Sequence, residues 1–185
     1  MSGKNTAVFG IYPTYADVEE GVEALKEAGF RNTDISILMP ENVGTKDLAH
    51  EKNTKAPEGA AAGGGAGLVV GGTLGWLVGI GALAIPGLGP FIAAGPIMAA
   101  LAGVGVGTAV GGLTGGLIGM GIPEYEAKRY EGKVKDGNIL LSVHTEDSTE
   151  RDRAKKILEV GGAEDISYTG EASVPKDQRT AEARH

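Results

Sequence analysis

The sequence predicts an α+β fold: a ferredoxin-like split βαβ–βαβ module with an inserted glycine-zipper α-helical hairpin and one extra connecting helix. Two observations predict it. Both polar flanks read strand, helix, strand, and the middle segment has no charged residue but 22 of the 32 glycines. The 185-residue chain therefore divides into a first βαβ half with a polar linker (1–58), the hairpin (59–121), the connecting helix with the second βαβ half (122–169) and a disordered polar tail (170–185).

The first flank begins with a predicted strand at residues 7–12, which is rich in strand-forming side chains. Thr14 and Asp17 stand three residues apart, as in an N-terminal capping box, and predict the start of a helix. The apolar residues that follow recur at helical spacing, and Gly29 is suited to the C-terminal cap. Residues 34–39 then predict a second strand.

The second flank repeats this order after an extra helix predicted at residues 123–136. Residues 138–144 predict a strand, Asp147 can cap the next helix, Gly161 can end it, and residues 165–167 begin another strand. Two such units predict a four-stranded sheet with its two repeated helices on one face.

The uncharged middle segment has two runs of glycine at an unbroken spacing of four residues. On a helix this spacing produces a glycine face on which another backbone can pack closely. We therefore assign helix packing and oligomerisation to Gly59, Gly63, Gly67, Gly71, Gly75, Gly79, Gly103, Gly107, Gly111, Gly115 and Gly119. The two predicted arms, residues 60–85 and 97–122, are joined by a helix-breaking turn that contains Pro86, Gly87, Gly89 and Pro90.

Each arm would be about 39 Å long at 1.5 Å per residue, which suffices to cross a hydrocarbon core of about 30 Å. The basic residues that flank the hairpin predict that both flanks stay on the cytoplasmic side: Lys46, Lys52, Lys55, Lys128, Arg129, Lys133 and Lys135. The expected partners are therefore membrane lipid and further copies of the chain. In the alternative, the hairpins pack together inside a soluble homo-oligomer, and the chain is cytoplasmic. The first 20 residues lack the apolar core of a cleavable signal peptide.

Several function classes are excluded by composition. The chain has no cysteine, and its histidines, His50, His144 and His185, are scattered, so we expect no metal site and no catalytic thiol. The net charge of −7 argues against nucleic acid as a partner. A loose dinucleotide-type glycine pattern begins at Gly79 but follows no strand, so we expect no cofactor. We expect no enzymatic activity. Whether the chain binds a small-molecule effector is not determined by the sequence.

Several segments together resemble the bacterial general-stress and low-temperature-induced protein family, whose N-terminal part is similar to the heat-induced stress protein domain. The resemblance covers roughly residues 6–169 and is carried by Ala7-Val8-Phe9, Ala28-Gly29-Phe30, Ile85-Pro86-Gly87-Leu88-Gly89-Pro90, Gly121-Ile122-Pro123-Glu124, Ala127 and Tyr130. It implies a stress-related setting and supplies no catalytic residue.

The sequence therefore leads to the hypothesis of a non-enzymatic stress-associated protein. In this hypothesis the glycine-zipper hairpin self-associates in or on the membrane, on the cytoplasmic side of which the α+β module lies. The alternative is a soluble homo-oligomeric scaffold or shell protein assembled through the hairpins. A third interpretation, a ligand-sensing α+β domain, rests on fold analogy alone.

Overall fold

The computed structural model describes residues 6–43, 81–85, 89–103 and 112–170. Within these residues six strands form one sheet in the order β3-β4-β2-β5-β1-β6. The strands are β1 (Thr6–Tyr12), β2 (Ile35–Pro40), β3 (Gly81–Ile85), β4 (Gly89–Ala94), β5 (Ile139–Thr145) and β6 (Glu164–Gly170). The helices are α1 (Tyr15–Glu27), α2 (Pro96–Gly103), α3 (Leu113–Gly119), α4 (Glu124–Lys135) and α5 (Ser148–Val160), with a short 3-10 helix at Asn32–Asp34.

All neighbouring strands in the sheet are antiparallel. β1 lies between β5 and β6, where Phe9 is opposite Ser142 on one side and Ser167 on the other. β2 lies between β5 and β4, with Ile37 opposite Leu141 and Ala94. The two flanks of the sequence thus interleave in a single sheet, and the β3–β4 pair extends that sheet beyond β2.

The first face of the sheet is covered by α1 and α5. Both helices begin at a side-chain cap: Thr14 Oγ1 accepts a hydrogen bond from the Asp17 amide at 3.2 Å, and Asp147 Oδ1 accepts one from the Glu150 amide at 2.8 Å. The apolar stripes of these helices then pack on alternate strand residues, in a buried cluster that includes Val8, Tyr12, Val18, Val22, Leu25, Ile37, Leu141, Ala154 and Leu158.

The second face is covered by α2, α3 and α4. The strand residues that point this way, among them Phe9, Ile11, Leu38, Phe91 and Leu140, pack on Ile97, Leu113, Leu117, Ala127, Tyr130 and Val134 of the helices. Because both faces are buried, the strands are apolar at successive positions rather than at every second one.

α2 starts in contact with β2. Gly95 has φ +78, and a Cβ at this position would collide with the backbone oxygen of Ile35. The amide of Ile97, in the first turn of α2, donates to Ser36 Oγ at 3.3 Å. Glycine is therefore required at position 95 by both its backbone conformation and the close approach.

The α+β class and the elements of both flanks, including the connecting helix α4, are confirmed. The predicted helical hairpin is not confirmed: residues 81–85 of the first arm form a strand, and so do residues 89–94 between the two arms, whereas residues 97–103 and 113–119 of the second arm are helical. The second arm is also broken, since α2 ends at Gly103 and α3 begins only at Leu113, after Gly112 with φ +91. Glycine's weak helix propensity and its freedom at positive φ explain why a period of four did not produce one long helix.

The glycine zipper is not supported by the described part of the chain. A Cβ added at Gly119, one of the predicted packing glycines, would have no atom within 4 Å. Close packing occurs instead at Gly116, outside the predicted series, against Leu101 of α2. Of the predicted series, Gly119 therefore takes no part in close helix packing in the described residues.

Candidate functional site

An open groove lies between α1 and α5, on the outer surface of the first helical layer. Its volume is about 390 Å³, and it is lined by Glu20, Ala24, Arg153, Lys156, Ile157, Val160 and Gly161. We call these seven residues the α1–α5 groove.

The floor and one end of the groove are apolar. Ile157 is half-buried and packs against the core cluster of the first face, whereas Val160 at the end of α5 is 81% exposed. Covering this side chain with another surface would remove apolar area from water, which is favourable. The groove thus combines a recess with an exposed apolar side chain at its edge.

The two rims of the groove have opposite charge. Glu20 stands on the α1 side, and Arg153 and Lys156 stand on the α5 side. The Arg153 guanidinium lies 5.2 Å from the Phe30 ring centroid and 3.9 Å from the Glu150 carboxylate. The ion pair is at the limit of its range and both side chains are solvent-accessible, so this rim keeps positive charge that a partner could meet.

Tyr12 of β1 lies beneath the closest approach of α1 and α5. Its hydroxyl is buried and has no hydrogen-bond partner among the described residues. A Cβ at Gly21 would lie 2.5 Å from the Tyr12 oxygen, and one at Gly161 would lie 3.1 Å from it. Burial, with a smaller contribution from the nearby Asp17 charge, raises the pKa of Tyr12 to about 12.

On the opposite layer, α4 is tied to β6 and α3 by polar contacts. Tyr130 donates from its hydroxyl to the Asp165 backbone oxygen at 2.7 Å, and burial is the main cause that raises its pKa. Arg129 pairs with Asp165 at 3.3 Å, and Lys133 with Glu164 at 3.1 Å. These contacts hold the edge strand β6 against α4, and this structural role is sufficient to explain them.

The described residues offer little for metal or acid–base chemistry. No group of three or more histidine, aspartate or glutamate side chains in the described ranges could hold a metal ion. His144 lies in β5, while His50 and His185 lie outside the described residues. The arrangement is suited to recognising a surface by shape and charge.

The predicted packing and turn residues are not brought together into a site by the described part of the chain. Gly103 ends α2, Gly115 and Gly119 lie in α3, and Gly89 and Pro90 begin β4. The remaining predicted residues lie outside the described ranges: Gly59, Gly63, Gly67, Gly71, Gly75, Gly79, Pro86, Gly87, Gly107 and Gly111. Among the helices that the structure describes, none has the length and apolar character needed to span a bilayer.

The fold and the groove define a two-faced α+β module with a surface for packing. Residues 6–168 match the family described as "ActD: Alternative complex III, ActD subunit". Since this match covers most of the chain, the chain belongs to the ActD family. Searches of curated proteins and of solved structures found no match.

The family match corrects the function expected from the sequence. The resemblance to general-stress and low-temperature-induced proteins was wrong, and with it both the self-associating stress protein and the alternative scaffold or shell. The segments that suggested it are short, and their described residues fulfil ordinary structural roles. Gly121, for example, has φ +89 in the turn before α4, and Ile122 is buried in the second core cluster.

Proposed function

We propose that the chain is a non-catalytic subunit of Alternative complex III, a respiratory electron-transfer assembly, and that it contributes packing surfaces to that complex. The observation that carries the proposal is the family match over residues 6–168, which includes every described element of both flanks up to β6. The proposed partners are therefore other subunits of the complex rather than copies of this chain alone.

The chemistry of the described residues supports a non-catalytic role for this chain in the complex. The two buried hydroxyls with raised pKa values, those of Tyr12 and Tyr130, are both in the protonated form at neutral pH. Neither stands next to a histidine or cysteine that could act with it as an acid, base or nucleophile in the described ranges.

We further propose that β1, α1, β2, β5, α5 and β6 are a ferredoxin-like module to which β3 and β4 add. The spatial order β2-β5-β1-β6, with α1 and α5 on one face, supports this description. As part of Alternative complex III the chain would be located at the membrane, and we propose the cytoplasmic side for the module.

Affinity purification from the native membrane tests the proposed function. A tagged copy of the full chain, expressed at its natural level, should recover the other subunits of Alternative complex III from gently solubilised membranes. Deleting the chain should lower the amount of assembled complex but leave the turnover of each remaining complex within about twofold, since no reacting group is lost.

The control is the same tag on an unrelated protein. Recovery of the chain without any subunit of the complex would overturn the proposal. If complexes that lack the chain assembled in normal amount but lost turnover, the proposal that the chain is non-catalytic would be overturned.

A further inference from the structure

We propose that the α1–α5 groove binds one apolar side chain of another subunit, on a segment that carries an acidic residue beside that side chain. The proposal deepens the proposed function and rests on it, because it names the surface through which the chain would contact its complex.

The apolar part of the argument comes from Val160 and Ile157. Val160 is exposed although its neighbour Ile157 reaches the core, so the recess offers apolar surface on its floor and at its edge. Binding energy in protein interfaces concentrates where one anchor side chain fills such a recess and water is excluded. An open groove of about 390 Å³ has room for one apolar side chain together with neighbouring atoms of the segment that carries it.

The charge argument comes from Lys156. Four other lysines of α4 and α5 have a carboxylate partner within 4 Å: Lys128, Lys133, Lys135 and Lys155. Lys156 has none among the described residues, although the chain as a whole carries a charge of −7. Charges on one surface usually complement those of the partner that covers it.

The opposite rim fixes the orientation of the occupant. Glu20 stands across the groove from Arg153 and Lys156, so a carboxylate of the partner would be repelled from the α1 side and attracted to the α5 side. An acidic segment is therefore favoured over a basic one, and its acidic residue should lie toward α5.

The experiment compares charge and shape variants in the affinity purification. Lys156→Glu and Val160→Asp change two exposed groove residues, so neither should disturb folding, which thermal unfolding of the purified chain would verify. We expect each variant to lower the recovery of partner subunits by about tenfold or more. Lys155→Glu is the matched control, because it makes the same charge reversal one residue away, outside the groove, and should stay within about twofold of the wild type.

A photo-crosslinking amino acid at the exposed position of Ala24 identifies the occupant. The expected product is a peptide of another subunit that contains an apolar residue next to an aspartate or glutamate. A crosslink only to a second copy of the chain, or to a basic peptide, would overturn the inference.

The two proposals fail in different ways. If wild-type chain recovers the complex and Lys156→Glu and Val160→Asp recover it equally well, the groove is not the docking surface but the subunit assignment stands. If wild-type chain recovers no subunit of the complex, the proposed function itself fails.

Discussion

At the scale of single residues, Tyr12 is unusual because its buried hydroxyl finds no hydrogen-bond partner in the part of the chain that the structure describes. A Cβ at Gly21 would collide with its oxygen, and one at Gly161 would lie in tight contact with it. An unsatisfied buried hydroxyl costs about 1–3 kcal/mol of stability. The reach of the Tyr12 side chain thus explains why residue 21 has no Cβ.

Removing this hydroxyl should stabilise the protein. Tyr12→Phe is expected to raise the free energy of unfolding by about 1 kcal/mol at pH 7, measured by chemical denaturation. The wild-type protein should also lose about 2–3 kcal/mol between pH 10 and pH 12, because the raised pKa of Tyr12 lets the unfolded chain release its proton first. Tyr12→Phe should lack that part of the loss.

Tyr125→Phe is the control, since this side chain is 76% exposed and its hydroxyl meets water in the folded state. Part of the alkaline loss should persist in Tyr12→Phe, because burial also raises the pKa of Tyr130. An alkaline profile of Tyr12→Phe identical to that of the wild type would show that the Tyr12 hydroxyl is not the buried group described here.

Gly21 and Tyr12 should be coupled energetically. Gly21→Ala places a Cβ 2.5 Å from the Tyr12 oxygen and 3.0 Å from its ring, so it should destabilise the wild-type protein by about 1–3 kcal/mol. In a Tyr12→Phe background the cost should fall by about 1 kcal/mol, because the nearest atom is gone. Equal costs in both backgrounds, measured by denaturation, would rule out this steric explanation.

At the scale of elements, α3 depends on a side chain from another helix. Its N-cap position, Gly112, offers no side chain, and the Thr114 amide instead donates to Glu131 Oε2 of α4 at 3.0 Å. The Thr114 hydroxyl also contacts this oxygen, and Lys135 pairs with the other one at 2.7 Å. Partial burial raises the pKa of Glu131, but the hydrogen bonds from Lys135 and Thr114 outweigh it, so the pKa is lowered.

Replacing Glu131 should loosen the contact between α3 and α4. Glu131→Ala is expected to cost about 1–2 kcal/mol at pH 7, and Glu131→Gln less, because its amide oxygen can still accept from Thr114. Since the folded pKa is lowered, the carboxylate's contribution is present above pH 4.5 and is lost as the pH falls through the folded value. Thermal unfolding at pH 7 and pH 3 checks this, and variants that differ from the wild type equally at both values would contradict it.

The flanking elements could be predicted because their signals are local. Thr14 with Asp17, and Asp147 before its helix, are capping signals within four residues of sequence. The strands of the middle could not be predicted in this way, since β4 is stabilised by pairing with β2, more than fifty residues earlier. In a segment rich in glycine and alanine, a glycine at every fourth position is compatible with strands and short helices as well as with one long helix. The spacing alone therefore could not distinguish between them.

At the scale of the whole molecule, the candidate groove could not be predicted from the sequence. Glu20 and Lys156 each belong to a polar helix face, which alone predicts only contact with solvent. They line one recess because β1 and β5 pair and bring α1 beside α5. The family, likewise, was shown by a match along nearly the full chain rather than by the short segments that suggested another one.

The irregular pairing at the outer strand has a consequence for how molecules of this chain meet each other. β6 carries an extra residue opposite β1, with Asp165 at φ +51, and its acidic side chains are held by Arg129 and Lys133. A strand of another molecule could not pair regularly with this edge, because the bulge interrupts the row of backbone amides and the edge carries charged side chains. Edge-to-edge pairing of sheets, the first step toward cross-β fibrils, is therefore disfavoured at β6.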